Sequence, residues 1–519
     1  MINTLTKNAQ EISLVTLGSD PITIEEFVAV ARYRARIEFS AEYDGRVRRS
    51  RTLIEKFLQE NRLIYGVTTG FGDNVTEVIA PEDAEALQRN IVLSHAVSVG
   101  QPLPEEIVRG VQLMMLVGLG QGFSGISIGT LALIRDLLNH NITPYVPGDG
   151  SVGYLAVEAH MAMVLIGEGR VWVAGEVVSS ADGLRAANLE PVALGCKEGL
   201  CLTNGTHSVT AIAVLTAYDA VRAATVSDLI AAMSLEALKG TIKAFDPRLH
   251  AMKKHPEQQA VAANVRKVLA GSAETEARAD YRVQDTYSLR GIPQIHGAAK
   301  RAIKDAVAVI RDELHSVGDN PVIIPEGQDG TALMGANFDS TFAGLQSDLL
   351  SMAMTVIAKV SERRTDRMLN SAFSELPAFL APNPGLNNGY MIAQYTAAAL
   401  YMEMKALSLP ASIDSVPTSA NQEDPVSNAY LAAMQAYTAA GKLRYVLAIE
   451  LMCAVQASEL GDGLASSPVV QAIQAAIRKE VPTAVSDRFF GDDIERIERL
   501  LFDGQILRIV EENVGELAF

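Results

Sequence analysis

Four segments in the second half of the chain constrain its fold most. Residues 295–317, 341–369, 388–408 and 429–460 are rich in helix-forming side chains and hold few breakers. Helices of this length joined by short loops build an extended bundle. Their apolar faces exceed what one chain covers, which predicts self-association. Strand character is confined to 171–178, where β-branched residues flank Gly175 and predict a small hairpin packed by Trp172, the one tryptophan. The expected fold is therefore mainly α, with a long-helix bundle over residues 204–519 and a smaller mixed N-terminal domain over 1–203.

The balance of charges removes whole classes of function. Lys and Arg total 44 against 61 Asp and Glu, a formal charge of −17; that field repels phosphate backbones and argues against nucleic acid as the main partner. The one basic cluster, Arg46, Arg48, Arg49 and Arg51, reads as a solvated helix face. The three cysteines, Cys196, Cys201 and Cys453, lack CxxC spacing and support neither a disulfide framework nor a zinc cage. A reducing cytoplasm fits, and no metal is expected. The first residues lack the basic and apolar regions of a signal peptide. The most apolar late segment, 430–457, is interrupted by Lys442, Arg444 and Glu450, so it reads as a buried bundle helix and no membrane partner is expected.

Residues 1 to about 20 read as an extended lead-in, after which Thr23-Ile24-Glu25-Glu26 forms a capping-box pattern. Tyr65 then stands among Gly66, Gly70 and Gly72, the composition of a mobile loop that can close over a ligand, with a packing anchor as the other reading. Leu87 to His95 is helical and ends in Ser94-His95. Gly118 to Gly125 contains GxGxxG, but the run before it is helix-prone and no strand precedes it, so no dinucleotide site is expected. Gly148, Gly150 and Gly153 fall within six residues and run straight into a helix-like stretch, where the backbone needs unusual dihedrals or close approach. His250 and His255 fall on different helix faces and are expected at the surface.

Several loop-borne polar clusters remain that no core needs: Leu202 to His207, Gln284 to Arg290, Gly335 to Phe338 and Ser419 to Asp424. Each alone has the composition of a turn or cap. Together with Tyr65 they supply phenols, an arginine, amides and a carboxylate. In order and spacing, Tyr65-Gly66 through Thr69-Gly70-Phe71-Gly72, Leu202 to Thr206, Gln284 to Arg290 and Thr418 to Asp424 resemble the histidine and aromatic amino acid ammonia-lyase family along almost the whole chain. The fumarase and aspartase group, whose fold is related, is set aside because its Ser-Ser-x-Met-Pro signature is missing.

The resemblance implies a mostly helical homotetramer whose active sites are each shared between subunits and act on a small amino acid. It also implies a built-in electrophile, 4-methylideneimidazol-5-one (MIO), formed when an Ala-Ser-Gly-type tripeptide cyclises and dehydrates. The family reads Gly-Ser-Val-Gly, the tripeptide, then usually Asp-Leu. Here the standard residues pass directly from Gly153 to Tyr154-Leu155, and matching resumes at Ala159-His160-Met161-Ala162. The implied arrangement is one modified residue between Gly153 and Tyr154; a true deletion would leave an inactive homologue. Tyr154 stands where the family has Asp.

Carried over position by position, Tyr65 matches the general base for the β-proton. Phenols ionise near pH ~10, so that role demands surroundings that favour the anion. Asn204 matches the amide that contacts the prosthetic group and the substrate amine, and Gln284 and Tyr287 match residues that order the site. Arg290 matches the clamp on the substrate carboxylate, bidentate in a way lysine is not. Phe338 matches a ring packed on the prosthetic group. Ser94-His95 and Glu423 resemble the histidine-lyase pattern around the substrate ring, whereas His207, Asp339 and Pro425 depart from it. The implied reaction is MIO-dependent elimination of ammonia from L-histidine or a related aromatic L-amino acid. Tyrosine or phenylalanine ammonia-lyase and a 2,3-aminomutase are the alternatives.

Overall fold

The computed structural model describes residues 8–18, 20–80 and 83–519, so the first seven residues of the expected lead-in lie outside it. The described part of that lead-in is not simply extended. A short 3₁₀ turn, Ala9–Glu11, precedes the strand Leu14–Leu17, which pairs in parallel with Arg36–Phe39. Between them the helix Ile24–Ala31 begins at the capping box: the Glu26 amide donates to Thr23 Oγ1 at 3.1 Å and the Thr23 amide to Glu26 Oε2 at 2.8 Å.

The basic cluster on the helix Ala41–Gln59 is only half a solvated face. Arg48 and Arg49 are exposed. Arg46 Nε donates to the Gly120 carbonyl at 2.6 Å, and Arg51 donates to the carbonyls of Gly125 at 3.2 Å and Cys196 at 3.0 Å. Arg46 thereby meets the carbonyl left at the end of the helix Glu105–Leu119 by the GxGxxG turn, whereas the carbonyls that Arg51 meets belong to the loops before Ile128–Asn139 and Glu198–Thr203. Gly122 and Gly125 there have φ of 83° and 75°, so the glycines serve the turn, and a helix rather than a strand precedes it.

The hairpin forms as expected. Arg170–Val173 pairs antiparallel with Glu176–Ser179 across Ala174 and Gly175, whose φ values of 50° and 88° are those a two-residue primed turn requires. Trp172 packs beside Tyr145, ring centres 5.7 Å apart.

Five long helices build the rest: His207–Ala237, Ile292–Leu314, Thr341–Leu369, Met391–Leu407 and Ala429–Glu459. Every residue of His207–Ala237 is buried, which is where a helix that is apolar on all sides must sit. It packs against the 292–314, 341–369 and 429–459 helices, forming the axis of the bundle. Glu450, which interrupts the apolar late segment, is buried and takes both oxygens to Arg364, at 2.5 and 2.9 Å. Two helical stretches, Glu198–Ala237 and Thr341–Leu369, are long and apolar enough to cross a membrane; their apolar windows are 100% and 56% buried inside the protein.

His255 is exposed as expected, but His250 is buried. The short helix Pro247–Ala251 folds back on Pro256–Val268, and the His250 ring enters the contact, bonded to the Ala244 carbonyl and to Gln258 Nε2, each at 3.0 Å.

Candidate active site

The loop after the 41–59 helix is held mostly by its own hydrogen bonds. Thr69 and Val78 form an isolated bridge, the Gly70 amide donates to the Glu77 carbonyl at 3.0 Å, and Gly66 and Gly72 take φ of 64° and 56°. This fold-back brings the Gly72 amide to the Tyr65 phenol oxygen, to which it donates at 2.8 Å. The Phe71 ring meets the Tyr65 ring edge-on at 6.2 Å.

Tyr65 opens onto a cavity of about 390 Å³, whose lining also includes Ser94, His95, Tyr154, Asn204, Phe338 and Glu423. Ser94 and His95 end the helix Ala84–His95, with Ser94 Oγ 3.0 Å from His95 Nδ1. Burial holds the His95 imidazole below its ordinary range, against the opposing pull of the Glu423 carboxylate. Glu423 closes a tight turn in which Ser419, Ala420 and Asn421 all have positive φ, and Thr418 Oγ1 donates to its Oε2 at 2.8 Å.

Asn204 ends the short helix Glu198–Thr203 and is 6% exposed. Its Nδ2 donates to the Asn320 carbonyl at 3.1 Å, which leaves Oδ1 to accept from a ligand. The same helix starts at Lys197, whose buried ammonium meets Asp319, the neighbour of Asn320, at 2.5 Å. Both ends of the helix are thus tied to one turn.

Gly153 has φ of 144°, and its carbonyl accepts from Ser340 Oγ at 3.3 Å. Tyr154 is 4% exposed, with its ring edge-on to Phe338 at 5.3 Å. Burial, and then the hydrogen-bonded Glu423 carboxylate, push its phenol above the ordinary range. Leu155 precedes the helix Ala156–Leu165 at φ 75° and ψ −69°, a conformation that strains any side chain with a Cβ. His207 is buried beneath Gly205, and burial pulls it down to about 4, so it is neutral. Asp339 Oδ1 accepts from the Thr341 amide, the first of the 341–369 helix, at 2.9 Å.

The remaining three candidates stand elsewhere. Gln284 and Arg290 line a separate cavity of about 360 Å³, and Tyr287 is 73% exposed beside them. Arg290 lies over the Tyr287 ring at 4.4 Å and donates from Nε to the Asp285 carbonyl at 2.8 Å. One chain therefore gathers Tyr65, Asn204, Ser94, His95 and Glu423 around one cavity, but not Arg290. Asn320 and Lys197 were not legible beside this cavity, because each acts through a contact between segments far apart in sequence.

The profile of the aromatic amino acid lyases matches residues 22–479. The chain is 41% identical over 503 residues to a histidine ammonia-lyase of Alkaliphilus oremlandii, covering 96% of this chain and 99% of that one. The chain belongs to the aromatic amino acid lyase family. It is likewise 43% identical over 508 residues to a histidine ammonia-lyase of Gloeobacter violaceus, covering 97% and 98%. Among solved structures, the histidine ammonia-lyase of Trypanosoma cruzi matches with a TM-score of 0.90 at 33% identity, covering 96% of each chain. The tyrosine aminomutase of Streptomyces globisporus matches with a TM-score of 0.92 at 33% identity, covering 97% and 100%. This lyase thus has the ammonia-lyase fold and is a carbon–nitrogen lyase.

Proposed function

We propose that this lyase eliminates ammonia from L-histidine, or from an aromatic L-amino acid of similar shape, giving the α,β-unsaturated acid through an MIO group between Gly153 and Tyr154. One observation carries the reading: Tyr65, Asn204 and the trio Ser94, His95 and Glu423 line one cavity.

The surroundings suit the prosthetic group. Joining Gly153 directly to Tyr154 goes with a leucine at φ 75°, a conformation that costs of order 1–3 kcal/mol. Asn204 and Phe338 line the cavity that a group between Gly153 and Tyr154 would face. The group, when in place, supplies an electrophilic carbon for the substrate amine, so that ammonia can depart.

The chain's own residues do the rest. Tyr65 takes the β-proton, with the charge on its oxygen held by the Gly72 amide. Asn204 Oδ1 accepts from the substrate amine. Glu423 accepts from a ring N–H, and the neutral His95 offers a second polar contact that orients the ring. Phe71, Ile91 and Leu200 form apolar wall that excludes water.

Arg290 grips the substrate carboxylate from a neighbouring copy, together with Gln284 and Tyr287, in a homotetramer whose sites are shared. Exposed apolar side chains along the bundle, among them Phe342, Phe373, Leu386, Ile392, Tyr395 and Met402, support that assembly. In this scheme the 1–203 part brings the Tyr65 loop and the prosthetic junction, and the 204–519 bundle brings the arginine. Three free cysteines suit the cytoplasm.

The test is absorbance at the wavelengths of urocanate, coumarate and cinnamate after adding histidine, tyrosine or phenylalanine. Urocanate from histidine is the expected result. A β-amino acid in place of any unsaturated product would select the 2,3-aminomutase alternative, which the departures at His207, Asp339 and Pro425 favour. The intact mass is expected to exceed that of the standard residues by Ala-Ser-Gly less two waters; a bare Gly153–Tyr154 link would mark an inactive homologue.

A further inference from the structure

The Ala84–His95 helix presents few side chains to the protein interior, and one of them is an amide. Gln88 is fully buried, at 0% exposure. Its Nε2 donates to the Gly66 carbonyl at 3.1 Å, and its Oε1 accepts from the Leu200 amide at 3.2 Å. Both ends of the amide are therefore used, one on the residue after Tyr65 and the other inside the short helix that ends at Asn204. Seven residues further on, and so on the same face of its own helix, stands His95.

The meeting point is packed to the limit. A Cβ on Gly199 would lie 2.3 Å from the Gln88 carbonyl oxygen, and one on Gly66 would lie 2.5 Å from Leu200. Those glycines let the three backbones come close enough for one side chain to span them. Among the described residues, the other hydrogen bonds made by residues 64–72 stay within 62–79, so Gln88 is the polar tether of that loop to the rest of the molecule.

We propose that Gln88 is a positioning residue for the elimination: its amide sets the distance between the Tyr65 loop, the Asn204 helix and the His95 end of its own helix. The inference rests on the lyase reading. A base on a loop held by its own bonds can drift as a unit, and a displacement of about 1 Å can cost roughly a hundredfold in rate. The tether makes the loop and the amide helix move together or not at all.

The test uses Gln88→Glu and Gln88→Met in the full chain, with kcat and KM measured alongside amide hydrogen exchange. Gln88→Glu is isosteric and keeps the acceptor for Leu200, but turns an oxygen toward the Gly66 carbonyl. In both variants kcat is expected to fall roughly tenfold to a hundredfold while KM changes by less than about threefold. Exchange is expected to rise in residues 64–72 and to stay at the wild-type level in the 170–179 hairpin. Should Gln88→Met not fold, Gln88→Glu carries the test. A folded Gln88→Glu enzyme with wild-type kcat and wild-type loop exchange overturns the proposal, and so does exchange raised uniformly across the chain. Wild-type turnover, measured first, decides the lyase reading; loop exchange decides the tether independently of it.

Discussion

Lys197 and Asp319 meet at 2.5 Å with their side chains 0% and 1% exposed, and they fix from behind the segment that presents Asn204. Removing one partner leaves the other charge buried alone. Lys197→Met is expected to destabilise the fold by about 3–5 kcal/mol, whereas pairing it with Asp319→Leu is expected to recover most of that loss. Urea denaturation of both variants checks this, and equal losses would show that the pair does not interact as described.

Tyr65→Phe removes one oxygen whose hydrogen bond is accepted from the Gly72 amide. Turnover is expected to fall by roughly 10²- to 10⁴-fold, with the melting temperature nearly unchanged. A variant that kept its rate would take the proton abstraction away from this phenol.

Glu423 faces the cavity with Oε2 engaged by Thr418 and with a hydrogen bond to the Tyr154 phenol, and its remaining acceptor capacity is what a substrate ring N–H would use. For histidine, Glu423→Gln is expected to lower kcat/KM by roughly ten- to a hundredfold, because a buried ring donor loses its charged acceptor. For phenylalanine, which has no such donor, the change is expected to be small. Steady-state rates on the two substrates measure the contrast.

Burial pushes the Glu158 carboxyl from 4.5 up to about 7; Oε1 accepts from the Ser208 amide at 2.9 Å, and no partner is described for Oε2. The folded chain therefore keeps a proton there that the unfolded chain releases. The stability this group contributes is full below pH 4.5 and is lost as pH rises through about 7. Glu158→Gln is expected to flatten that slope, making the variant the more stable at about pH 8 by an amount on the order of 3 kcal/mol. Denaturation midpoints on either side of the window test it.

Much of the frame could be read from local chemistry. The capping box at Thr23 and the primed turn at Gly175 need only neighbours, and the long helices need only an absence of breakers. Arg46, Arg51 and His250 were misplaced because their partners, a helix-end carbonyl, loop carbonyls and a folded-back helix, come from contacts no local pattern encodes. Gln88 was invisible for the same reason: an amide on a helix looks like a surface residue until two other backbones arrive beside it. The motifs named the candidate residues without saying that one chain holds them in two places.

That division has a genetic consequence. If Tyr65 and Arg290 serve one reaction centre from different copies, then Tyr65→Phe and Arg290→Ala each cripple turnover alone, yet co-expressed chains assemble some centres with both residues intact. Heteromeric complementation of two dead alleles, read as a fraction of the wild-type rate, is the signature of a catalyst that no single polypeptide possesses.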